Sequence, residues 1–182
     1  MLFLTRIAGL SAEQVGIALT VGWAAGFTAS TALGALADRY GLRRTAGLLA
    51  TGTSLALLGL QAVGSLPVLI TVTVVYGCCQ SGLGAVRQAL VTALSTPEQR
   101  TAMRARVQVV QNAGLAIGAA AGGIALALDT SAAYRAVLAG DAATFAVAAA
   151  VLATMPAVTP APRPSGRRLE VLHDRCYAVL AG

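Results

Sequence analysis

A carboxylate and three guanidinium groups lie close together in the segment GALADRYGLRRT, residues 34–45, between two long apolar runs. Such a cluster can form ion pairs, but it contains no nucleophile or metal-ligand set. A basic turn in which Gly41 ends a helix explains the arginines. It does not explain Asp38, because a carboxylate at a helix C-terminus opposes the helix dipole by roughly 0.3 to 1 kcal/mol.

Further polar residues recur at helical spacing within two of the apolar runs, and in each run they lie on one helical face. One face has Tyr76, Gln80, Gly84 and Arg87, and the other has Arg104, Gln108, Gln111 and Asn112. An arginine in the centre of a membrane costs about 2.5 to 3.5 kcal/mol, so we expect these groups to face a pathway or a partner. Arg87 has a second interpretation, in which its side chain extends to the nearby polar end of its span. Asp141 is a candidate proton carrier, but we favour a structural role beside Arg135.

Enzyme chemistry is not indicated. Cys78 and Cys79 are adjacent, which is not metal-ligand spacing, and His173 is the only histidine in the sequence. GLGAVR lacks the third glycine of a dinucleotide-binding loop. We therefore expect no catalytic residue, metal site or cofactor, and no membrane enzyme.

The elements that carry these residues are predicted to be transmembrane helices. Hydrophobic residues make up 57% of the 182 residues, charged residues 11%, and the mean hydropathy is +0.74. A soluble helical bundle would need polar helix faces, which are missing. The sequence predicts an all-α, polytopic membrane protein with five spans: Val15–Ala37, Thr45–Val63, Pro67–Leu90, Val107–Leu128 and Ala136–Met155.

The arginines predict the orientation of these spans. If the loop at Asp38 is cytoplasmic, ten of the thirteen arginines lie on the cytoplasmic side, as the positive-inside rule requires. The net charge of +6 then reflects topology, and nucleic-acid binding is not expected, since aromatic residues are only 4%. We expect a multi-pass protein of the plasma (inner) membrane.

Both ends of the sequence are predicted to be incomplete. Residues 156–173 are rich in proline and arginine, which indicates a cytoplasmic linker. Residues 174–182 turn apolar but are too short to cross a bilayer, and so is Met1–Ala8.

The pattern G-x-x-x-D-R-x-G-x-R-R resembles the signature loop of the major facilitator superfamily. Its residues here are Gly34, Asp38, Arg39, Gly41, Arg43 and Arg44. The resemblance implies that Asp38 is the acceptor of a conformational latch, with the arginines as cationic partners, and that it faces a helix end from the other half. It also implies that Gly34 and Gly41 are points of close packing. Leu42 stands where the family usually has a basic residue, so we expect a weaker latch.

The resemblance covers essentially the whole chain. It implies that residues 1–155 are the N-terminal bundle, with the tail of the first helix followed by helices two to six, and that residues 174–182 begin the seventh. NAGLAIGAAAGG is similar to the glycine-rich fifth helix of the antiporters, with Ala119 where they carry proline. That difference puts proton antiport in doubt. We interpret its glycines as helix-packing points: Gly114, Gly118, Gly122 and Gly123.

Two functions remain open. The first is secondary transport of a small molecule across the lipid bilayer by alternating access, as efflux of the bacterial multidrug type, with protons as a candidate coupling ion. The missing C-terminal half would be its intramolecular partner. The alternative is a truncated or partner-dependent membrane protein with no transport activity of its own.

Overall fold

The computed structural model describes residues 5, 9–96 and 98–155. Within these residues every regular element is an α-helix, which confirms the predicted fold class. The five helices are α1 (Ala12–Tyr40), α2 (Leu42–Leu60), α3 (Leu66–Leu94), α4 (Arg100–Leu128) and α5 (Ser131–Thr154).

Local sequence signals set several helix ends. Ser11 and Gln14 form a capping box at the start of α1, in which the Gln14 N–H donates to Ser11 Oγ at 3.2 Å and the Ser11 N–H donates to Gln14 Oε1 at 3.0 Å. Pro67 lies in the first turn of α3, where its missing N–H is not needed. Asp129, with a φ of 44°, ends α4 in the left-handed conformation, and the Thr130 hydroxyl caps α5.

Four of the five helices are long and apolar enough to be candidate membrane spans: α1, α3, α4 and α5. The fifth, α2, is not among them, because it is the shortest helix and two arginines occupy its first turn. Large apolar side chains on α4 remain exposed in this bundle, with Leu115 74% and Ile117 71% exposed. Such surfaces suit lipid or further helices rather than water.

The most extensive packing joins helices that do not follow one another in the sequence. The most extensive contact joins α1 to α3, and α2 packs against both α3 and α5. In contrast, α4 makes only limited contacts with α3 and α5. Two apolar clusters fill the interior, one at each end of the bundle.

One end of the bundle gathers most of the charge, and we call it the Gly41 end. It contains the α1–α2 connection at Gly41, the turn at residues 98–99 and the end of α5 at Met155. Of the eight described arginines, six lie at this end: Arg39, Arg43, Arg44, Arg100, Arg104 and Arg106. The side of the membrane that this end faces stays a prediction.

Three predicted segments lie outside the described residues. They are the linker at residues 156–173, the apolar segment at residues 174–182 and, apart from Thr5, the helix tail at residues 1–8.

Candidate functional site

Gly41 alone connects α1 to α2. Its φ of 93° is open to glycine and strained for other residues. Its N–H donates to the Ala37 carbonyl at 2.9 Å, and its own carbonyl accepts from the Thr45 N–H at 3.1 Å. Because one residue both ends α1 and begins α2, the two helices leave this point with a fixed relative direction.

Asp38 lies in the last turn of α1 with an exposed side chain. It forms no hydrogen bond or ion pair with any described residue. Arg44 is exposed as well, and the Arg39 guanidinium lies 5.9 Å from the centroid of the Tyr40 ring. The structure therefore does not pair Asp38 with the three arginines that the sequence proposed, and its latch role stays a prediction.

Arg43 has a different partner. Its Nη2 donates to the Ala153 carbonyl at 2.8 Å, and its Nη1 donates to the Met155 carbonyl. These carbonyls belong to the last turn and the C-cap of α5, which have no partner within their own helix. A cation at a helix C-terminus also interacts favourably with the helix dipole. Arg43 thus ties the start of α2 to the end of α5.

Leu42, the departure from the family pattern, is part of the core. Its side chain is 6% exposed and packs in the cluster at the Gly41 end. The other buried members of that cluster are Ala37, Ala46, Leu49 and Val86. A basic side chain would have to leave this cluster to reach water, so leucine fits the local packing.

The glycines predicted to pack helices have open surroundings. At each of them no described neighbouring atom lies within 4 Å of the place that a Cβ would occupy. They are Gly34, Gly41, Gly114, Gly118, Gly122 and Gly123. Their packing role stays a prediction, because no described helix fills that space.

The close helix approach lies instead between α1 and α3. A Cβ on Gly22 would lie 2.6 Å from the Thr73 carbonyl oxygen, and one on Gly26 would meet the Gly77 carbonyl. Thr73 Oγ1 also donates to the Ala18 carbonyl at 2.9 Å. The four-residue spacing of Gly22 and Gly26 is the small-residue pattern that could have predicted this contact.

Arg87 on α3 and Gln111 on α4 approach each other across the helix pair. With the Gln111 amide oxygen turned toward α3, it accepts from Nη1 and Nη2 of Arg87, each at 3.0 Å. Gln108 Nε2 donates to Asn112 Oδ1 at 3.1 Å on the same face of α4. A cavity of about 230 Å³ opens beside them.

Tyr76 and Gln80 form a separate pair, nearer the start of α3 than Arg87. The Gln80 Nε2 donates to the Tyr76 hydroxyl at 3.3 Å. Asp141 lies on α5 and lines a larger groove of about 820 Å³ between α4 and α5. The candidate pathway residues therefore divide between two places, and only Arg87, Gln108, Gln111 and Asn112 lie together.

Ser54 makes a contact that the sequence pattern does not indicate. Its hydroxyl donates to the Ala142 carbonyl at 2.8 Å and joins α2 to α5. Cys79 also packs closely on α2, with its Sγ 2.7 Å from the place of a Cβ on Gly52. Hydropathy does not signal such contacts, because one hydroxyl or thiol barely changes the average over a span.

The comparisons with known proteins gave one match. A family model described as Major Facilitator Superfamily matches residues 1–179, nearly the whole sequence. Searches of curated proteins and of solved structures returned no match.

Proposed function

The chain belongs to the major facilitator superfamily, a family of membrane transporters, and on this basis we propose that it exports a small molecule by alternating access. The proposal places it in the bacterial inner membrane as a multidrug-type exporter. Membership of a transporter family does not favour the alternative of a membrane protein without transport activity.

The geometry of Asp38 is the observation that carries the mechanism. Its carboxylate is exposed at the Gly41 end and has no partner among the described residues. An unpaired carboxylate at a helix C-terminus is unfavourable, so it gains free energy from any cation or helix N-terminus that reaches it. We infer that it engages a helix end from the C-terminal half in one conformation and loses that contact in the other.

The arginines divide into two roles in this proposal. Arg43 supports the bundle through α5, which leaves Arg39 and Arg44 as the exposed cations of the signature loop. The excess of arginine at the Gly41 end supports a cytoplasmic position for the latch. Protons remain our candidate coupling ion.

The test is substrate flux in the Asp38→Asn variant, measured as ethidium efflux from cells and normalised to membrane-inserted protein. The amide keeps the shape but removes the charge. A coupling of about 1 to 3 kcal/mol shifts a conformational equilibrium about 5- to 150-fold, so we expect efflux to fall while insertion is unchanged. Glu98→Gln is the control, because it removes a carboxylate charge at the same end of the bundle from a residue outside the proposed latch.

A second readout reports the conformation directly. Cys78 and Cys79 are half-buried on α3, and their labelling rate by N-ethylmaleimide should change in Asp38→Asn but not in Glu98→Gln. Cys176 is first replaced by serine. Wild-type efflux together with unchanged labelling in Asp38→Asn would contradict the latch, whereas no efflux by the wild-type protein would contradict ethidium export itself.

A further inference from the structure

The cavity between α3 and α4 is lined by two arginines, three glutamines and two valines, Val91 and Val107. Arg87 and Gln88 contribute from α3, and Arg104, Gln108 and Gln111 contribute from α4. The volume of about 230 Å³ is smaller than the 300 to 1,000 Å³ typical of sites for drug-sized ligands. The space suits one polar group of a ligand rather than a whole amphipathic molecule.

The positive charge in this cavity is not balanced by the helices that line it. Neither α3 nor α4 contains an aspartate or glutamate. In the turn between them, Glu98 does not line the cavity. Hydrogen bonds from its own backbone N–H and from the Thr96 side chain, together with the charge of Arg100, hold the pKa of Glu98 below its usual value. That carboxylate is therefore engaged within the turn rather than in the cavity.

Hydrogen-bond donors remain available around the cavity. Arg104 and Gln88 make no side-chain hydrogen bond within the described residues. Gln108 uses one of its two amide hydrogens on Asn112. Once its amide is turned toward α3, Gln111 accepts from Arg87 across the helix pair. Donors therefore come from both helices, and they suit an anion with acceptor oxygens in several directions.

We propose that this cavity binds a phosphate group, with Arg87 and Arg104 as its cationic contacts and the amides of Gln88 and Gln108 as further donors. Guanidinium groups bind phosphate oxygens through paired, charge-assisted hydrogen bonds. The phosphate belongs either to an anionic lipid headgroup or to a free phosphate compound. The proposal concerns this cavity alone and does not depend on transport.

The experiment measures the thermal denaturation midpoint of the purified protein in neutral detergent. One arm titrates inorganic phosphate against chloride at equal ionic strength, and the other titrates phosphatidylglycerol against phosphatidylcholine. We expect stabilisation in at least one arm, with at least tenfold weaker apparent affinity in Arg87→Gln and in Arg104→Gln. Arg106→Gln is the matched control, because it removes the same charge from α4 but does not line this cavity.

Each result decides the proposal. Stabilisation by inorganic phosphate that both variants lose supports a free phosphate compound, and stabilisation by phosphatidylglycerol alone supports a lipid headgroup. An equally weakened apparent affinity in Arg106→Gln would indicate nonspecific attraction to the positive surface and would overturn the site. A wild-type protein that neither probe stabilises would overturn it as well. If Arg87→Gln fails to fold, Arg104→Gln decides, and Arg87→Lys tests whether charge alone suffices.

Discussion

Arg43 on α2 donates a 2.8 Å hydrogen bond from Nη2 to the carbonyl oxygen of Ala153 on α5. The two residues are far apart in sequence, yet the contact lies immediately after the sharp connection at Gly41. It satisfies a carbonyl in the last turn of α5, where no backbone N–H is available. The signature loop is therefore coupled to the helix that ends the described bundle.

Arg43→Gln should lower stability, because the shorter neutral side chain loses the charge-assisted bonds to α5. We expect a loss of roughly 1 kcal/mol. Arg44→Gln is the matched control, since Arg44 is adjacent and exposed. The measurement is the denaturation midpoint in mixed micelles containing SDS. An equal effect of the two changes would show that the bonds of Arg43 do not contribute.

Gly77→Ala should destabilise the bundle more than Gly84→Ala. The added methyl group at Gly77 would meet the backbone of Gly22, whereas no described atom lies within 4 Å of a Cβ on Gly84. Overpacking of this kind costs about 1 to 3 kcal/mol. The same denaturation assay separates them, and tolerance of both changes would argue against the close α1–α3 contact.

Ser54→Ala should have a small effect, about 0.6 kcal/mol, which is the average for hydrogen bonds between membrane helices. The change removes the bond to the Ala142 carbonyl. Ser30→Ala provides the control, because its hydroxyl bonds only to the Phe27 carbonyl in its own helix. Denaturation midpoints that move together for the two variants would count against an interhelical role of Ser54.

Cysteines placed at Ser65 and at Thr96 should label from opposite sides of the membrane. The two positions are exposed in the connections at opposite ends of α3. We expect Thr96→Cys to label from the cytoplasm, because it lies at the arginine-rich end. The native cysteines are replaced first, and a membrane-impermeant maleimide is applied to intact cells and to lysed cells. Labelling of both sites in intact cells would refute this topology.

The sequence predicted the number and order of the helices well, because long apolar runs without charges rarely form anything other than helices. It was less accurate at their ends. The fourth span was predicted to begin at Val107, but α4 begins at Arg100. Arginines mark where the apolar run stops, and a helix can continue past that point because arginine is a good helix former.

The contacts between helices were harder to predict. Glycines four residues apart occur both in α1, at Gly22 and Gly26, and in α4, at Gly114 and Gly118. Only the α1 pair packs against another described helix. Spacing places two glycines on one face, but it does not say which helix approaches that face. The partner of Arg43 was unpredictable for the same reason.

The α1–α3 contact has a consequence for biogenesis. The helix between them in sequence, α2, is the one that is not apolar enough to count as a span by itself. The glycine face of α1 thus enters the bilayer before its partner has been synthesised. Because α3 follows both α1 and α2 in the sequence, the most extensive helix contact can form only after all three helices have been synthesised.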